Sequence, residues 1–214
     1  MKAYRVKNQS GVTLVEAVVA LFVIIVGLVS AMALIYGSIN AAGEIEDELL
    51  AANLARETIE VARSIRDSNW LEIDSGNTNV IWDDGLYSGT VYRAIPVFDD
   101  DDASPTFRSW LLTFDAAYNI NHDDSKVYFN LRNGAKVYHQ CDAAVCGITT
   151  KFRRVVTLNP ICYDGSSETL ISTGTDCATL SQSKIGIQVM VTVEWTDNNN
   201  TRTHVSEERL YNWK

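Results

Sequence analysis

Proline is scarce in this sequence, and none of its three prolines lies between residues 12 and 70. Proline inside a helix removes a backbone hydrogen bond and clashes with the preceding turn. The absence of proline over this stretch therefore permits one long, uninterrupted helix.

Motifs of the common enzyme classes are also missing. The sequence contains no G-x-S-x-G, no H-E-x-x-H and no phosphate-binding glycine loop, and it has only three histidines. In their enzyme classes these motifs place a nucleophile, a metal ion or a phosphate group. Their absence predicts that the chain is not an enzyme and that it needs no cofactor.

Acidic residues are missing from the first eleven positions, which carry the basic residues Lys2, Arg5 and Lys7. From Gly43 onward lie all but one of the 27 acidic residues and all but three of the 18 basic residues. An acidic body repels the phosphate backbones of DNA and RNA. Nucleic acid is therefore not an expected partner.

The longest apolar run begins at Ala17, has no polar side chain up to Val29, and reaches Ile39 if three polar residues are admitted. A helix of about 20 apolar residues spans the hydrocarbon core of a bilayer. Basic residues precede the run and acidic residues follow it. This asymmetry predicts a cytoplasmic N-terminus and a chain that is exported after about Gly43.

Three interpretations of this run are open. It could be a plain membrane anchor, or a secretory signal that is cleaved after the small-x-small sequence at residues 31–33. The third interpretation depends on the residues before the run, where a short basic leader ends at Gly11. The sequence V-T-L-V-E at residues 12–16 then opens the helix.

This third pattern resembles the N-terminal signature of type IV prepilins, over Lys7 to about Val29. The resemblance implies that a prepilin peptidase cleaves after Gly11 and that Val12 becomes the N-methylated first residue. It also implies that the whole apolar helix stays on the product. The sequence departs from the family at Val12, where phenylalanine is usual.

Glu16 has two interpretations, and both can hold. Thr13 and Glu16 have the spacing of a helix capping box, in which each side chain bonds the backbone N–H of the other residue. The resemblance to pilins implies a role in assembly, since cleavage gives Val12 a cationic α-amine. Glu16 would pair with that amine on a neighbouring subunit, because an ionised carboxylate in apolar surroundings needs a partner.

Residues 44–70 keep the helical period but lose the hydrophobicity of a membrane span. Their apolar residues recur at spacings of three and four, which predicts a stripe that packs on the rest of the chain. Opposite charges predict ion pairs of Arg56 with Glu60 and of Arg63 with Asp67. Residues 51–70 also resemble the helix of minor pilins of the PilV type. The predicted stripe consists of Ile45, Leu49, Leu50, Ala52, Leu54, Ala55, Ile59, Val61 and Ala62.

Beyond about Leu71 the hydrophobic pattern changes to the period of two that is typical of strands. The clearest strand is Ile185–Trp195, and Thr203–Tyr211 would return beside it after a turn. The simplest architecture is an α+β, pilin-like fold. In it one long N-terminal helix, with a membrane half and an amphipathic half, packs on a meandering antiparallel sheet. Further strands are predicted at residues 91–98, 110–114, 126–131 and 152–158, with a hairpin at Asn133-Gly134 that leads into residues 136–138.

All four cysteines lie in the part that would be exported, at Cys141, Cys146, Cys162 and Cys177. An even number in an exported domain predicts two disulfides, with free structural thiols as the alternative. Three connectivities are possible. In sequential pairing, of Cys141 with Cys146 and of Cys162 with Cys177, each bond would hold one loop closed. Zinc is not predicted, because neither pair has C-x₂-C spacing.

The only candidate metal site is calcium at Asp99 and Asp101, in the acidic run of residues 99–102. An EF-hand register that starts at Asp99 would place Ala103 and Trp110 at ligand positions, so a solvated loop is the better prediction. The acids of the sequence Asp-Asp-Gly at residues 83–85 are predicted to be solvated in the same way.

These features predict four segments: a prepilin leader at 1–11, an apolar transmembrane and assembly helix at 12–42, an amphipathic helix at 43–70, and an exported β-rich head at 71–214. The resemblance implies a structural subunit of a type IV pilus-like filament, more specifically a minor pilin. Its expected partners are the prepilin peptidase, the lipid bilayer, a membrane assembly platform and other pilin subunits. The precursor would lie in the cytoplasmic membrane, and the product in an extracellular filament on a bacterial cell.

Two other functions stay open. A pseudopilin of a type II secretion or DNA-uptake system has the same N-terminal signature. A membrane-tethered adhesin or binding module belongs to a different class and would use the helix only as a tether. In a tethered protein any apolar helix would substitute for residues 12–39, whereas in a filament subunit it would not.

Overall fold

The computed structural model describes residues 11, 13–89, 91–99, 109–132, 135–141, 147–171, 175–197 and 200–213. The chain forms two compact units, which divide between Asp47 and Glu48. Five sequence predictions fall on residues outside this description: those on the leader at 1–10, Val12, Asp101, the Asn133-Gly134 turn and Cys146.

Helix α1 runs from Leu14 to Asp74 and so passes the predicted end at residue 70. The chain leaves the helix at Gly76, whose φ of +94° lies in the left-handed region. The backbone N–H groups of residues 76 and 77 return to carbonyls of the last helical turn, which closes a Schellman cap. Glycine is required at this position, because a β-carbon is strained at positive φ.

The first unit contains the apolar half of α1. The large apolar side chains from Leu14 to Ile39 are between 48 % and 81 % exposed. An 18-residue window of the helix is long and apolar enough to cross a membrane, and none of it is buried. A core helix of a soluble protein can match this length and composition, but it is mostly buried. The apolar half of α1 is therefore compatible with membrane anchoring.

The described part of the second unit contains one antiparallel sheet of eight strands. The longest strand, β5, pairs along one edge with β7, which pairs in turn with β8. The other edge of β5 is shared by β1, β3 and β6. In chain order the strands are β1 (Arg93–Phe98), β2 (Trp110–Phe114), β3 (Lys126–Arg132), β4 (Ala135–His139), β5 (Ile148–Tyr163), β6 (Glu168–Leu170), β7 (Ser183–Asp197) and β8 (Asn200–Tyr211).

The predicted α+β class, with one long N-terminal helix on an antiparallel sheet, is confirmed. The predicted meander is wrong, because β5 lies between β7 on one side and β1 and β3 on the other. The sequence pattern predicted only residues 152–158 of β5. The strand has 16 residues, a length of roughly 50 Å, which leaves room for three partners along one edge.

The amphipathic part of α1 packs on the face of the sheet that β5 and β7 present. Three alanines of this part, Ala51, Ala55 and Ala62, are 0 % exposed and belong to the core. Large side chains from the strands and from the helix fill the rest of this core. On β7 the predicted face is buried from Ile187 to Trp195, but Ile185 is only half-buried, and Gly186 and Gln188 of the opposite face are buried as well.

The buried stripe on α1 begins later than predicted. Ile45 and Leu49 were predicted to be buried, but they are 67 % and 60 % exposed. Packing begins at Ala51 instead. At about 100° per residue, Leu49 points about 200° away from Ala51, so the two residues cannot share a buried face. Five members of the predicted stripe are buried: Leu54, Ala55, Ile59, Val61 and Ala62.

The two ion pairs predicted along α1 are wrong. Arg63 pairs with Glu60 at 2.8 Å and with Glu208 on β8 at 2.6 Å, rather than with Asp67. Both Glu208 oxygens accept from Arg63, a two-pronged geometry that is strong for a guanidinium. Arg56 makes no ion pair within the described part of the chain.

Candidate functional site

The start of α1 contains the residues that the sequence analysis assigns to processing and assembly. The backbone N–H of Glu16 donates to Thr13 Oγ1 at 3.3 Å, so Thr13 caps the first turn. The reciprocal bond of the capping box does not form among the described residues, where the Glu16 carboxylate accepts no hydrogen bond. Both residues are exposed. Capping therefore explains Thr13 but not the charge on Glu16.

Gly11 is exposed, and a β-carbon built onto it would meet no atom within 4 Å. Packing in the described part of the chain therefore gives no reason for glycine at this position. Val12, the predicted first residue of the product, lies outside the described residues. The predictions for cleavage and methylation remain predictions.

One predicted disulfide is confirmed: Cys162 on β5 is bonded to Cys177, and their Cα atoms are 5.4 Å apart. Both cysteines are buried, and Cys177 opens the short helix Cys177–Leu180. Cys141 is also disulfide-bonded, but its predicted partner Cys146 lies outside the described residues. The Cys162–Cys177 bond fastens the short helix before β7 to the C-terminal end of β5.

Loss of the Cys162–Cys177 bond is expected to lower the free energy of unfolding by about 3 kcal/mol. The bond spans 15 residues and restricts the unfolded chain accordingly. Denaturant titration of the detergent-solubilised double variant Cys162→Ala/Cys177→Ala, followed by tryptophan fluorescence, measures the loss. This variant keeps the bond of Cys141 intact. A midpoint equal to that of the parent would contradict the prediction.

Arg154 is a fully buried cation between β5 and α1. Its Nη1 donates to the Leu54 carbonyl and to Glu57 Oε2, both at 2.9 Å, and its Nε donates to Gln140 Oε1 at 2.7 Å. Burial lowers the pKa of Arg154, and the Glu57 carboxylate opposes this shift. A charged network thus joins the helix to the middle of the sheet.

No pattern in the sequence predicted this network. The signal that could have shown it is the alternation along β5, which places Arg154 on the same face as Phe152, Val156 and Leu158. An arginine on an apolar face needs a carboxylate partner. That partner, Glu57, lies 97 residues away in the chain, so no local pattern identifies it.

A second buried charge lies in the loop after α1. Asp83 was predicted to be solvated, but it is only 3 % exposed and pairs with Lys184 at the start of β7. The Lys184 ammonium also lies 4.0 Å from the centre of the Tyr87 ring. Burial raises the pKa of the Tyr87 hydroxyl, and the carboxylates of Asp176 and Asp83 raise it further. The neighbouring Asp84 is exposed, as predicted.

The described residues form open grooves along the amphipathic part of α1. The groove against β8 has a volume of about 520 Å³, and charged side chains such as Arg56 and Glu207 line it. The groove against β4 has a volume of about 320 Å³. Its walls are more apolar and include Leu50 and Val137. Open grooves with these side chains suit the docking of another chain.

The described residues do not provide a set of calcium ligands around Asp99. Asp99 is half-buried, and its backbone N–H donates to the Ser109 carbonyl at 2.9 Å. Asp101 lies outside the described residues. Across the ranges that the structure describes, no group of three or more His, Cys, Asp or Glu side chains could hold a metal ion.

Comparison with known proteins adds no relative to these observations. The function of the chain therefore has to be inferred from its own residues. No protein-family model, no curated protein and no solved structure matches it.

Proposed function

We propose that the chain is a structural subunit, a minor pilin, of a type IV pilus-like filament on a bacterial cell. A prepilin peptidase cleaves the precursor after Gly11, and Val12 becomes the methylated N-terminus. Helix α1 then transfers from the bilayer into the filament. The observation that carries the proposal is the apolar surface of α1, where the large apolar side chains up to Ile39 are at least 48 % exposed.

This apolar surface needs a covering, because contiguous apolar area of this extent is rare on soluble proteins. The bilayer covers it before assembly, and the apolar helices of other subunits cover it in the filament. The core of the head begins at Ala51, so the head does not need the apolar half of α1 to close its own core. This division supports a helix that is reserved for lipid and for partners.

Gly11 and Glu16 favour a filament subunit over a plain tether. A tether explains the apolar surface of α1 but gives no reason for glycine at an unpacked position. It also gives no reason for a carboxylate that accepts no hydrogen bond among the described residues. A processed subunit accounts for both, since cleavage requires the glycine and the new Val12 amine supplies the partner for Glu16.

The charges around α1 support the proposed location. Lys2, Arg5 and Lys7 precede the apolar half, and acids including Glu44 and Glu46 follow it. The positive-inside rule then predicts that the leader stays in the cytoplasm, on the side where the prepilin peptidase cleaves, and that the head is exported. Disulfides in the head agree with an oxidising compartment.

The mature protein is expected to begin at Val12. Intact-mass and N-terminal analysis of the membrane-extracted protein measures this directly, and methylation adds the mass of one CH₂ unit, because the methyl group replaces a hydrogen. Gly11→Phe is expected to abolish processing and leave a membrane-bound precursor. Gly43→Phe is the matched control, because a β-carbon at Gly43 also meets no atom within 4 Å.

An N-terminus at Leu34, after cleavage behind residue 33, would contradict the proposal and show a secretory signal. A tethered binding module predicts a different outcome for a chimaera in which an unrelated apolar helix replaces residues 12–39. The chimaera would then keep its activity at the cell surface. If the chain is a filament subunit, the chimaera would instead stay in the membrane and be absent from sheared filaments.

A further inference from the structure

The ion pair of Asp83 with Lys184, called the buried pair below, lacks the geometry of an ordinary salt bridge. Asp83 is 3 % exposed, and the Lys184 side chain is 18 % exposed. Nζ of Lys184 contacts Oδ2 of Asp83. Within the described part of the chain this oxygen nevertheless accepts no hydrogen bond. The two atoms are therefore within hydrogen-bond distance but outside hydrogen-bond angles.

Two charges in this arrangement are costly. A buried ion pair offsets its lost hydration only with good geometry and further hydrogen bonds. Nearby residues of the same loop offer no polar surroundings, because Trp82 and Leu86 are buried and belong to the hydrophobic core. A reaction that turns both charged groups into one neutral group therefore lowers the cost of burying them.

The carboxylate is held in place by the loop around it. Nδ2 of Asn69 on α1 donates to the carbonyls of Trp82 at 3.1 Å and of Asp84 at 2.8 Å, which flank Asp83. The backbone N–H of Leu86 donates to the Asp83 carbonyl at 3.0 Å. Reacting groups that are fixed beside each other behave as if they were present at about 10⁵ to 10⁸ M. Proximity of this kind favours a condensation that is slow between free groups.

The amine is held from the other side. Lys184 lies opposite Cys162 in the pairing of β7 with β5, and Cys162 is itself bonded to Cys177. Nζ of Lys184 also lies 4.0 Å from the centre of the Tyr87 ring. The amine is thus in contact with an aromatic face and with the Asp83 carboxylate.

We propose that the buried pair condenses to an isopeptide bond between Nζ of Lys184 and Cγ of Asp83. Burial disfavours charged groups, so a proton passes from the ammonium to the carboxylate and leaves a neutral amine beside a carboxylic acid. The amine attacks Cγ, and the Nζ–Cγ bond forms. The Cγ–Oδ2 bond breaks, and the oxygen leaves as water with the transferred proton and one further proton from Nζ. One N–H stays on the amide, and no oxidant, reductant or third reactant takes part.

The isopeptide bond is a second covalent link at one end of the sheet. The disulfide joins the short helix before β7 to β5, whereas the isopeptide bond joins the loop after α1 to β7. Reduction opens the first link but not the second. The inference does not depend on the proposed function, because a filament subunit and a tethered module would have the same head.

Peptide mapping of the reduced and alkylated full chain tests the bond. Trypsin does not cleave after an acylated lysine, so the parent is expected to give a branched peptide that joins residues 67–93 to residues 155–202. Its mass is that of the two segments minus one water, and fragment spectra identify the linked residues. The internal control is the surface pair of Lys126 with Asp123 at 2.8 Å, where the Asp123 side chain is 83 % exposed. Trypsin should cleave after Lys126.

Lys184→Arg is the matched variant, because a guanidinium keeps the charge but stays protonated and is not a nucleophile. Lys184→Arg and Asp83→Ala are both expected to give unbranched peptides. The map of the parent is recorded on denatured protein, so it decides the question even if a variant folds poorly.

Three results would overturn the inference. The first is complete cleavage after Lys184 in the parent, and the second is a branched peptide that persists in Asp83→Ala. The third is a loss of water without a branch, since Asp84 can lose water by closing a succinimide on the nitrogen of Gly85. That product has the same mass deficit but leaves Lys184 open to trypsin.

Discussion

Glu57→Ala is expected to lower the free energy of unfolding of the head by about 3 to 4 kcal/mol. The variant leaves the fully buried guanidinium of Arg154 without its carboxylate, and an uncompensated buried charge typically costs about 3 to 5 kcal/mol. The Glu57 side chain is 34 % exposed, so water recovers part of the loss and the lower end applies. Denaturant titration of the detergent-solubilised protein, followed by tryptophan fluorescence, measures the change.

Two further variants separate charge from packing. Arg154→Met in the Glu57→Ala background is expected to recover part of the stability, because no charge then stays buried and the apolar stem is kept. Glu60→Ala is the surface control: Glu60 lies one turn along α1, its side chain is 51 % exposed, and its pair with Arg63 should be worth less than about 1 kcal/mol. Equal losses for Glu57→Ala and Glu60→Ala would contradict the assigned role of the network.

Local patterns in the sequence predicted the elements of this fold well. The helix could be predicted because the absence of proline and the period of 3.6 are both local properties. The alternation from Ile185 to Trp195 predicted β7 correctly, and its buried face is confirmed from Ile187 onward. Strand β2 lies at its predicted bounds, Trp110–Phe114. Each of these signals depends on residues that are close together in the chain.

The order of the strands could not be predicted, because pairing is decided between distant segments. Residues at the two ends of β5 choose different partners along one edge, β3 near Ile148 and β6 near Tyr163. Nothing in the period of β5 distinguishes these partners. The prediction of where the buried stripe on α1 starts was wrong for the same reason. Periodicity fixes which residues share a face, but only the sheet decides where along the helix that face becomes covered.

Buried charges are the other part that the sequence did not predict. Asp83 lies in an acidic loop sequence that is typical of a solvated turn, yet it is buried in an ion pair with Lys184 of β7. Arg154 is buried for a similar reason, since Glu57 and the Leu54 carbonyl on α1 accept hydrogen bonds from its Nη1. Both partners are about 100 residues away. The proposed processing and assembly residues are different, because residues 11–16 are contiguous. Their whole motif can therefore be seen in the sequence.

Glu16→Gln distinguishes the two interpretations of the acid at the start of α1. If Glu16 served only a capping box, glutamine would replace it with little effect, because glutamine can also accept the Thr13 backbone N–H. The described residues contain only the other half of that box, the bond from the Glu16 N–H to Thr13 Oγ1. Glutamine leaves this bond untouched, so any large effect of the substitution must come from the lost charge.

We expect Glu16→Gln to reduce the amount of protein in sheared filaments about a hundredfold or more. The variant leaves the Val12 amine of a neighbouring subunit as an unpaired cation among apolar helices. Losing one partner of a buried pair costs about 3 to 5 kcal/mol, and every 1.4 kcal/mol is about tenfold in an equilibrium.

Insertion and cleavage should survive in Glu16→Gln, since the segment becomes more apolar and Gly11 is unchanged. The measurement therefore compares equal amounts of processed membrane protein with the amounts in filaments. Thr13→Ala is the matched control, because it removes the cap at a cost of about 1 kcal/mol but keeps the carboxylate. It should reduce incorporation far less than Glu16→Gln. Normal incorporation of Glu16→Gln would mean that the charge has no part in assembly, and α1 would then be better explained as a membrane anchor.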